Sequence, residues 1–221
     1  MSNVDKLKLE QGERRNIAFK ELSILGNNIF WVDVVSDGKN LNYAIFARPF
    51  NDKDAFPQQL TGDEFNVKSN FHGYGGKSYK CLYFKKNVYL IWIDQFTKAL
   101  WFQIFEGIKL IDRSKKQYLV PVQEARQLSK SIEGNFDSSF VITEKNILYG
   151  ICEIKNTDYL FSLDLKKTKQ DIHQIKKFDN FAGDLSSNIS TKIMSWIEWD
   201  TPHMPWERND LFFAEVEDGE I

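Results

Sequence analysis

Residues 78–105 read SYKCLYF (78–84), KKN (85–87), VYLIWID (88–94), QFTK (95–98) and ALWFQIF (99–105). The three longer runs are dense in Tyr, Phe, Trp, Ile and Leu, side chains that suit a pleated, packed surface. The polar breaks between them are short enough for hairpins, so the stretch predicts a compact antiparallel meander of three strands. The same grammar recurs on both sides. Before it stand FKELSI at 19–24, IFWVDVV at 29–35 and LNYAIFA at 41–47, with Asp37-Gly38 marking a tight turn between the last two. After it come runs at 138–143, 147–154 and 158–164, then a pair at 191–199 and 210–216.

Composition agrees. The 221 residues include 18 Phe, 8 Tyr and 6 Trp, 14% aromatic in all, which leans towards β structure. Hydrophobic residues are 42% and charged residues 27%, ordinary for a globular chain and too apolar for disorder. The length suits one domain, or two small ones, with a sizeable core. Lys+Arg 29 against Asp+Glu 31 leaves a net charge of −2, so no broad field draws nucleic acid or acidic lipid. Paired lysines such as Lys85-Lys86 and Lys176-Lys177 fall in turns or at strand ends, where they serve as solvated charges. Neither nucleic acid nor membrane is expected as a partner. No apolar run reaches the roughly 20 residues of a membrane helix, and the polar start at 1–18 lacks the core of a signal peptide. With Cys81 and Cys152 far apart, these features predict reduced cysteines and a cytoplasmic protein.

Helical signals are few. Residues 122–131 (VQEARQLSKS) favour helix by propensity, but their apolar positions are too sparse for an amphipathic face. A repeat is more informative. Pro57-Gln58-Gln59-Leu60-Thr61 is echoed by Ala125-Arg126-Gln127-Leu128-Ser129, each after a hairpin. Taking each as the outermost strand of a four-stranded meander divides the chain into units at 19–61, 77–129, 137–177 and 185–221. Units of this size match propeller blades. Within each, strands may be called a to d from the axis outwards. The last unit has candidates for a, b and c, then the turn Glu217-Asp218-Gly219-Glu220, and lacks d. The expected class is all-β: a partial, open β-propeller of about three to four four-stranded antiparallel blades. A β-sandwich or irregular all-β fold is the alternative.

Two segments carry a family likeness. Phe65-Asn66-Val67-Lys68-Ser69 followed by His72-Gly73-Tyr74-Gly75-Gly76 is one. Ser195-Trp196-Ile197-Glu198-Trp199-Asp200-Thr201-Pro202-His203-Met204-Pro205-Trp206 is the other. Together they resemble stretches of the N-terminal β-propeller of bacterial prolyl oligopeptidase-family serine peptidases, the acylaminoacyl peptidase or dipeptidyl aminopeptidase-like enzymes. Phe30-Trp31, Gln127-Leu128-Ser129 and Cys152-Glu153 fall in the same order. The resemblance implies a propeller that gates or positions peptides above an α/β-hydrolase domain, here truncated before that domain. Gly73 stands where the family pattern has glutamate, and Thr201 and His203 where it has histidine and asparagine.

Catalysis within this chain is not expected. It has no Gly-x-Ser-x-Gly elbow, and no βαβ alternation to carry one. Ser36-Asp37-Gly38-Lys39 matches Ser-x-x-Lys but reads as a hairpin turn rather than a helix start. His72, His173 and His203 lack zinc-ligand spacing. No catalytic residue, metal or cofactor is therefore assigned. The substrate-facing or interdomain-facing candidates are His72, Tyr74, Trp199, Asp200, His203, Met204 and Trp206. In antiparallel meanders the b–c loops and the d-to-a connections leave the blades at one end, which predicts that 65–76 and 200–209 share a face. Partners expected are a hydrolase domain or a second copy through the open sheet edge. The alternatives are a stand-alone interaction module or a nonfunctional remnant of a truncated peptidase gene.

Overall fold

A computed structural model describes residues 20–36, 41–52, 54–112, 117–188 and 192–216. The polar segment at 1–18, the Asp37-Gly38 turn and the turn at 217–220 lie outside the described residues. The rest forms four small antiparallel sheets in a β-propeller arrangement.

Blade 1 holds β1 (Lys20–Leu25), β2 (Asn28–Ser36), β3 (Leu41–Pro49) and β4 (Gln58–Gln59), paired in that order. Blade 2 holds β5 (Tyr79–Phe84), β6 (Asn87–Asp94), β7 (Ala99–Asp112), β8 (Gln117–Pro121) and β9 (Arg126–Gln127). In blade 3, β10 (Gly134–Phe136) and β11 (Val141–Ile142) both pair with β12 (Ile147–Ile154), which is followed by β13 (Thr157–Asp164) and β14 (His173–Lys177). Blade 4 is β15 (Phe181–Asn188), β16 (Ile193–Trp199) and β17 (Asp210–Glu215), an a–b–c set.

Alternation along the b strands explains the packing. On β6, Val88, Leu90 and Trp92 point to blade 1, where Phe30, Val32 and Ile45 meet them. Tyr89, Ile91 and Ile93 point the other way, into a core shared with Phe136, Phe161 and Leu163 of blade 3. Residues 88–93 (VYLIWI) are thus apolar throughout because both faces of the strand are covered. β12 repeats the device. Leu148 and Cys152 face blade 2, while Tyr149 and Ile151 face Leu185, Met194 and Trp196 of blade 4. Gly150 between them admits two rings, since a Cβ there would stand 2.7 Å from Phe161 and 2.9 Å from Phe140. Among the described residues, no apolar core joins blade 4 to blade 1, and the array is open at that junction.

The Gln-Leu-Thr/Ser repeat has a shared geometry. Gln59 Nε2 donates to the Thr61 carbonyl and Gln127 Nε2 to the Ser129 carbonyl, each at 2.8 Å. The Thr61 hydroxyl accepts from the Ile45 amide at 3.0 Å, and the Ser129 hydroxyl from the Leu100 amide at 2.9 Å. Each hydroxyl ends the outer strand by taking an amide that the ladder would leave unpaired.

Some boundaries differ from the sequence reading. Residues 122–131 are extended around β9, because Arg126 and Gln127 find backbone partners on β7. β7 outruns its expected end and carries β8 as well, so blade 2 has two outer segments. Blade 3 begins at Gly134 and blade 4 at Phe181, a few residues before the expected 137 and 185. Gly134-Asn135 and Gly183-Asp184 resemble turns in sequence. Asp184 does adopt φ 53°, at a register shift inside β15.

Candidate functional site

The connection from blade 1 to blade 2 crosses the end of the propeller where the b–c turns emerge. Val67 bridges to Asp94 at the end of β6, and the Asn66 amide donates to the Asp94 carboxylate at 2.9 Å. Beyond it, a 3-10 turn at Phe71–Gly73 carries His72 to blade 3. His72 has φ 51°, and its amide donates to Glu153 at 3.1 Å. Gly73 and Gly75 have φ of 79° and 81°, a region that favours glycine, and so let the chain reverse within a few residues.

His72 Nε2 lies 2.8 Å from Asp158 Oδ2, and both side chains are 3% exposed. The same carboxylate oxygen accepts the Ala182 amide of blade 4 at 2.8 Å. The other ring nitrogen stands 3.5 Å from the Tyr74 hydroxyl, the long limit of a hydrogen bond. Phe71 packs on the imidazole at 3.7 Å between ring centres, while Phe181 and Trp199 meet it edge-on at 5.0 and 5.4 Å. One buried imidazole therefore ties the first interblade connection to blades 3 and 4.

Trp199 ends β16 and opens the loop at 200–209, so the two segments that carry the family likeness meet at one end of the molecule. Trp199 is buried and stacks on Phe181 at 5.8 Å. The loop is held by its own backbone: the His203 amide donates to Asp200, and the Glu207 and Arg208 amides donate to Met204. The Thr201-Pro202 peptide is cis. His203 and Met204 are half-buried, Asp200 is exposed, and Trp206 is 74% exposed. Of the seven candidates, His72, Tyr74 and Trp199 converge, while Asp200, His203, Met204 and Trp206 form a separate outer lip.

Inward from His72 lies a cavity of about 590 Å³ at the centre of the array. It is lined by the a strands of blades 1, 2 and 4, including Glu21, Lys80, Cys81 and Asp184, by Asp137 just after β10 of blade 3, and by Tyr74, Lys77, Trp199 and Pro205. Burial raises the Glu21 carboxyl above its ordinary range, against the lowering effect of hydrogen bonds from Ser78. Burial also raises Asp137, with the nearby Asp184 charge adding to it. The Tyr74 hydroxyl is raised by burial and then by Asp158, Asp137 and Asp184. Lys77 and Lys80 line the same space, so its carboxyls outnumber its lysines by one, and the Glu21, Asp137 and Asp184 side favours a cationic or hydrogen-bond-donating group.

Neither the central imidazole nor the Ser139 hydroxyl stands free. The buried imidazole is committed to Asp158, and the Ser139 hydroxyl bonds Asp137 while accepting the Leu185 amide. Cys81 and Cys152 are unbridged, and burial raises both thiols, away from the reactive thiolate. Among the described residues, no group of three metal-ligating side chains is present, and no helix is long and apolar enough to cross a membrane.

Sequence reasoning missed Asp158, Phe181, Glu21, Asp137 and Asp184. Only Asp158 had a signal. It follows the Lys155-Asn156-Thr157 turn, a b–c turn that the strand count already placed at the end holding His72.

No protein-family model matches the sequence, and no curated protein matches it. Among solved structures, the chain resembles a Mycobacterium tuberculosis puromycin-hydrolyzing peptidase with a TM-score of 0.66 at 13% identity. That match covers 92% of this chain and 31% of the peptidase. A puromycin hydrolase, solved as its S511A mutant complexed with PGG, gives a TM-score of 0.70 at 16% identity, over 94% of this chain and 31% of that one. The chain spans 31% of the length of each. At these identities the similarity is one of fold: a β-propeller arrangement shared with part of each peptidase.

Proposed function

We propose that this chain is a noncatalytic propeller module that holds or positions peptides for serine-peptidase chemistry supplied by a hydrolase domain. The observation that carries the reading is the convergence of His72, Tyr74 and Trp199 at a cavity of about 590 Å³ whose lining holds Glu21, Asp137 and Asp184 beside Lys77 and Lys80. The fold shared with puromycin-hydrolyzing peptidases supports it. A peptide amino group suits the Glu21, Asp137 and Asp184 side of the cavity, and apolar side chains suit the Trp199 rim. The lip at 200–209, stiffened by Pro202 and Pro205, is the surface we assign to the hydrolase domain. A cytoplasmic location belongs to the same reading. A stand-alone interaction module is the second reading, favoured by the exposure of Leu211 and Phe213 on blade 4.

The test is a titration of the purified chain with short peptides bearing a free or an acetylated amino end, followed by tryptophan fluorescence. A parallel assay measures release from aminoacyl nitroanilides. Saturable binding that prefers the free amine, weakens in Glu21→Gln and proceeds without turnover is the expected result. Turnover by the wild-type chain overturns the noncatalytic assignment, and absence of saturable binding overturns peptide holding.

A further inference from the structure

Every junction in the array is built the same way: one blade lays its forward face on the rear face of the next. The faces at the two ends differ in what they leave open. On blade 4, Met194, Trp196 and Phe212 face blade 3. The opposite face carries Ile193 paired with Glu215, Ser195 with Phe213, and Ile197 with Leu211. Leu211 and Phe213 are 70% and 74% exposed. On blade 1, Ser23 and Glu21 turn towards blade 2, bonding Tyr79 and Ser78, so Leu22 and Ile24 lie on the rear face, 59% and 63% exposed. Ile24 pairs with Ile29, and Ile29 with Arg48.

Charge and register complement each other across these faces. Arg48 lies near the end of the c strand of blade 1, opposite the start of its b strand. Glu215 lies at the end of the c strand of blade 4, opposite Ile193 at the start of its b strand. The two occupy corresponding heights on their blades, with opposite charge. Arg48 Nε is buried and has no hydrogen-bond partner among the described residues, and Glu215 is exposed. The blade 3–blade 4 junction already uses such a pair, with Lys176 of blade 3 lying 2.9 Å from Glu198 of blade 4.

We propose that two copies of this chain close an eight-bladed ring, the forward face of blade 4 in each packing on the rear face of blade 1 in the other, with Glu215 opposite Arg48. Eight blades lie within the usual range for a closed propeller, and a two-fold axis makes both new junctions identical. Contact is face to face and buries Leu211 and Phe213, rather than sheet edge to sheet edge. The end that carries 65–76 and 200–209 stays open in both copies, although Ile24 and Ile197 of the two joining faces also line the central cavity, so mass and not peptide binding is the readout.

Light scattering on the wild-type chain at about 10–100 µM should give the mass of two chains. Phe213→Asp should give one chain with an unchanged far-ultraviolet spectrum. Arg48→Glu and Glu215→Arg should each raise the dimer dissociation constant about tenfold or more, as like charges face each other at a desolvated contact. An equimolar mixture of those two variants restores opposite charges at both junctions and should restore the dimer. Ile24→Asp provides a second probe of the blade 1 face should Arg48→Glu unfold. A monomeric wild-type chain, or a dimer indifferent to both blade 1 substitutions, overturns the ring. The readout is mass, so its failure is distinct from failure of peptide binding.

Discussion

His72 and Asp158 are 86 positions apart in sequence, yet Nε2 and Oδ2 lie 2.8 Å apart with both side chains almost wholly out of water. The Asp158 carboxylate serves blades 3 and 4 and the first interblade connection together, because Ala182 donates to the same oxygen. Removing it in Asp158→Ala leaves two buried donors unpaired. Each costs about 1–3 kcal/mol, so urea denaturation should show a loss of roughly 3 kcal/mol with little change in slope. A loss under about 0.5 kcal/mol would mean that the pair is ornamental.

That pair marks the limit of what can be read along the chain. The meander at 78–105 is legible because each run stands between turn residues and is uniformly suited to a sheet. The Gln-Leu-Thr/Ser repeat is legible because the same local hydrogen bonds demand the same residue types in both blades. Partnership across 86 residues leaves no local period. Residues 122–131 were ambiguous for a related reason. Their strand is short, and its partners lie on a neighbour that the local composition does not specify. The candidates at 65–76 and 195–206 were visible through family likeness, but the rest of the cavity is formed by short stretches near the first strand of each blade, which no motif unites.

The cavity carboxyls set a pH dependence. Glu21 and Asp137 have raised values in the folded chain, mainly through burial. The native state therefore binds more protons than the unfolded state just above the ordinary carboxylate range, and stability falls as pH rises through that window. Glu21→Gln removes one contributor. Melting temperatures between about pH 5 and about pH 7 should thus decline less steeply in Glu21→Gln than in wild type. Parallel curves would show that Glu21 titrates alike in both states.

Gly150 tests the packing of blade 3 on its blade 2 side. A methyl at this position meets Phe161 and Phe140 inside 3 Å. Gly150→Ala should cost about 1–3 kcal/mol through overpacking, measured by chemical unfolding. At Gly73 nothing lies within 4 Å of an added Cβ, but φ is +79°. Gly73→Ala should cost about 1–2 kcal/mol through backbone strain alone, and Gly73→Asn less than Gly73→Ala.

Lys176 pins blade 3 to blade 4. Its Nζ lies 2.9 Å from Glu198 Oε1 and within 4.7 to 5.6 Å of the Phe178, Trp196 and Phe212 ring centres. The lysine side chain is 41% exposed, so screening limits the ion pair to about 0.5 kcal/mol. The ring contacts add about 0.5–1 kcal/mol. Lys176→Met keeps the apolar stem and should lose about 1 kcal/mol, with only part of that loss masked by high salt. A salt-independent loss would assign the effect to the rings alone.

Trp199 and Trp206 separate folding from contact. Trp199 is 7% exposed and packed on Phe181 and His72, whereas Trp206 is 74% exposed on the same loop. Truncating a buried tryptophan costs about 3–5 kcal/mol, and an exposed one usually less than about 0.5 kcal/mol. Trp199→Ala should therefore lower the unfolding midpoint sharply, while Trp206→Ala leaves it in place. An indole held in water at the lip of a proline-stiffened loop gains nothing for the isolated fold. Under the proposed function this lip meets a hydrolase domain, so Trp206→Ala should weaken that association while leaving the melting curve unmoved. Equal melting losses in the two variants would place Trp206 in the core of its own blade and remove the lip as a contact surface.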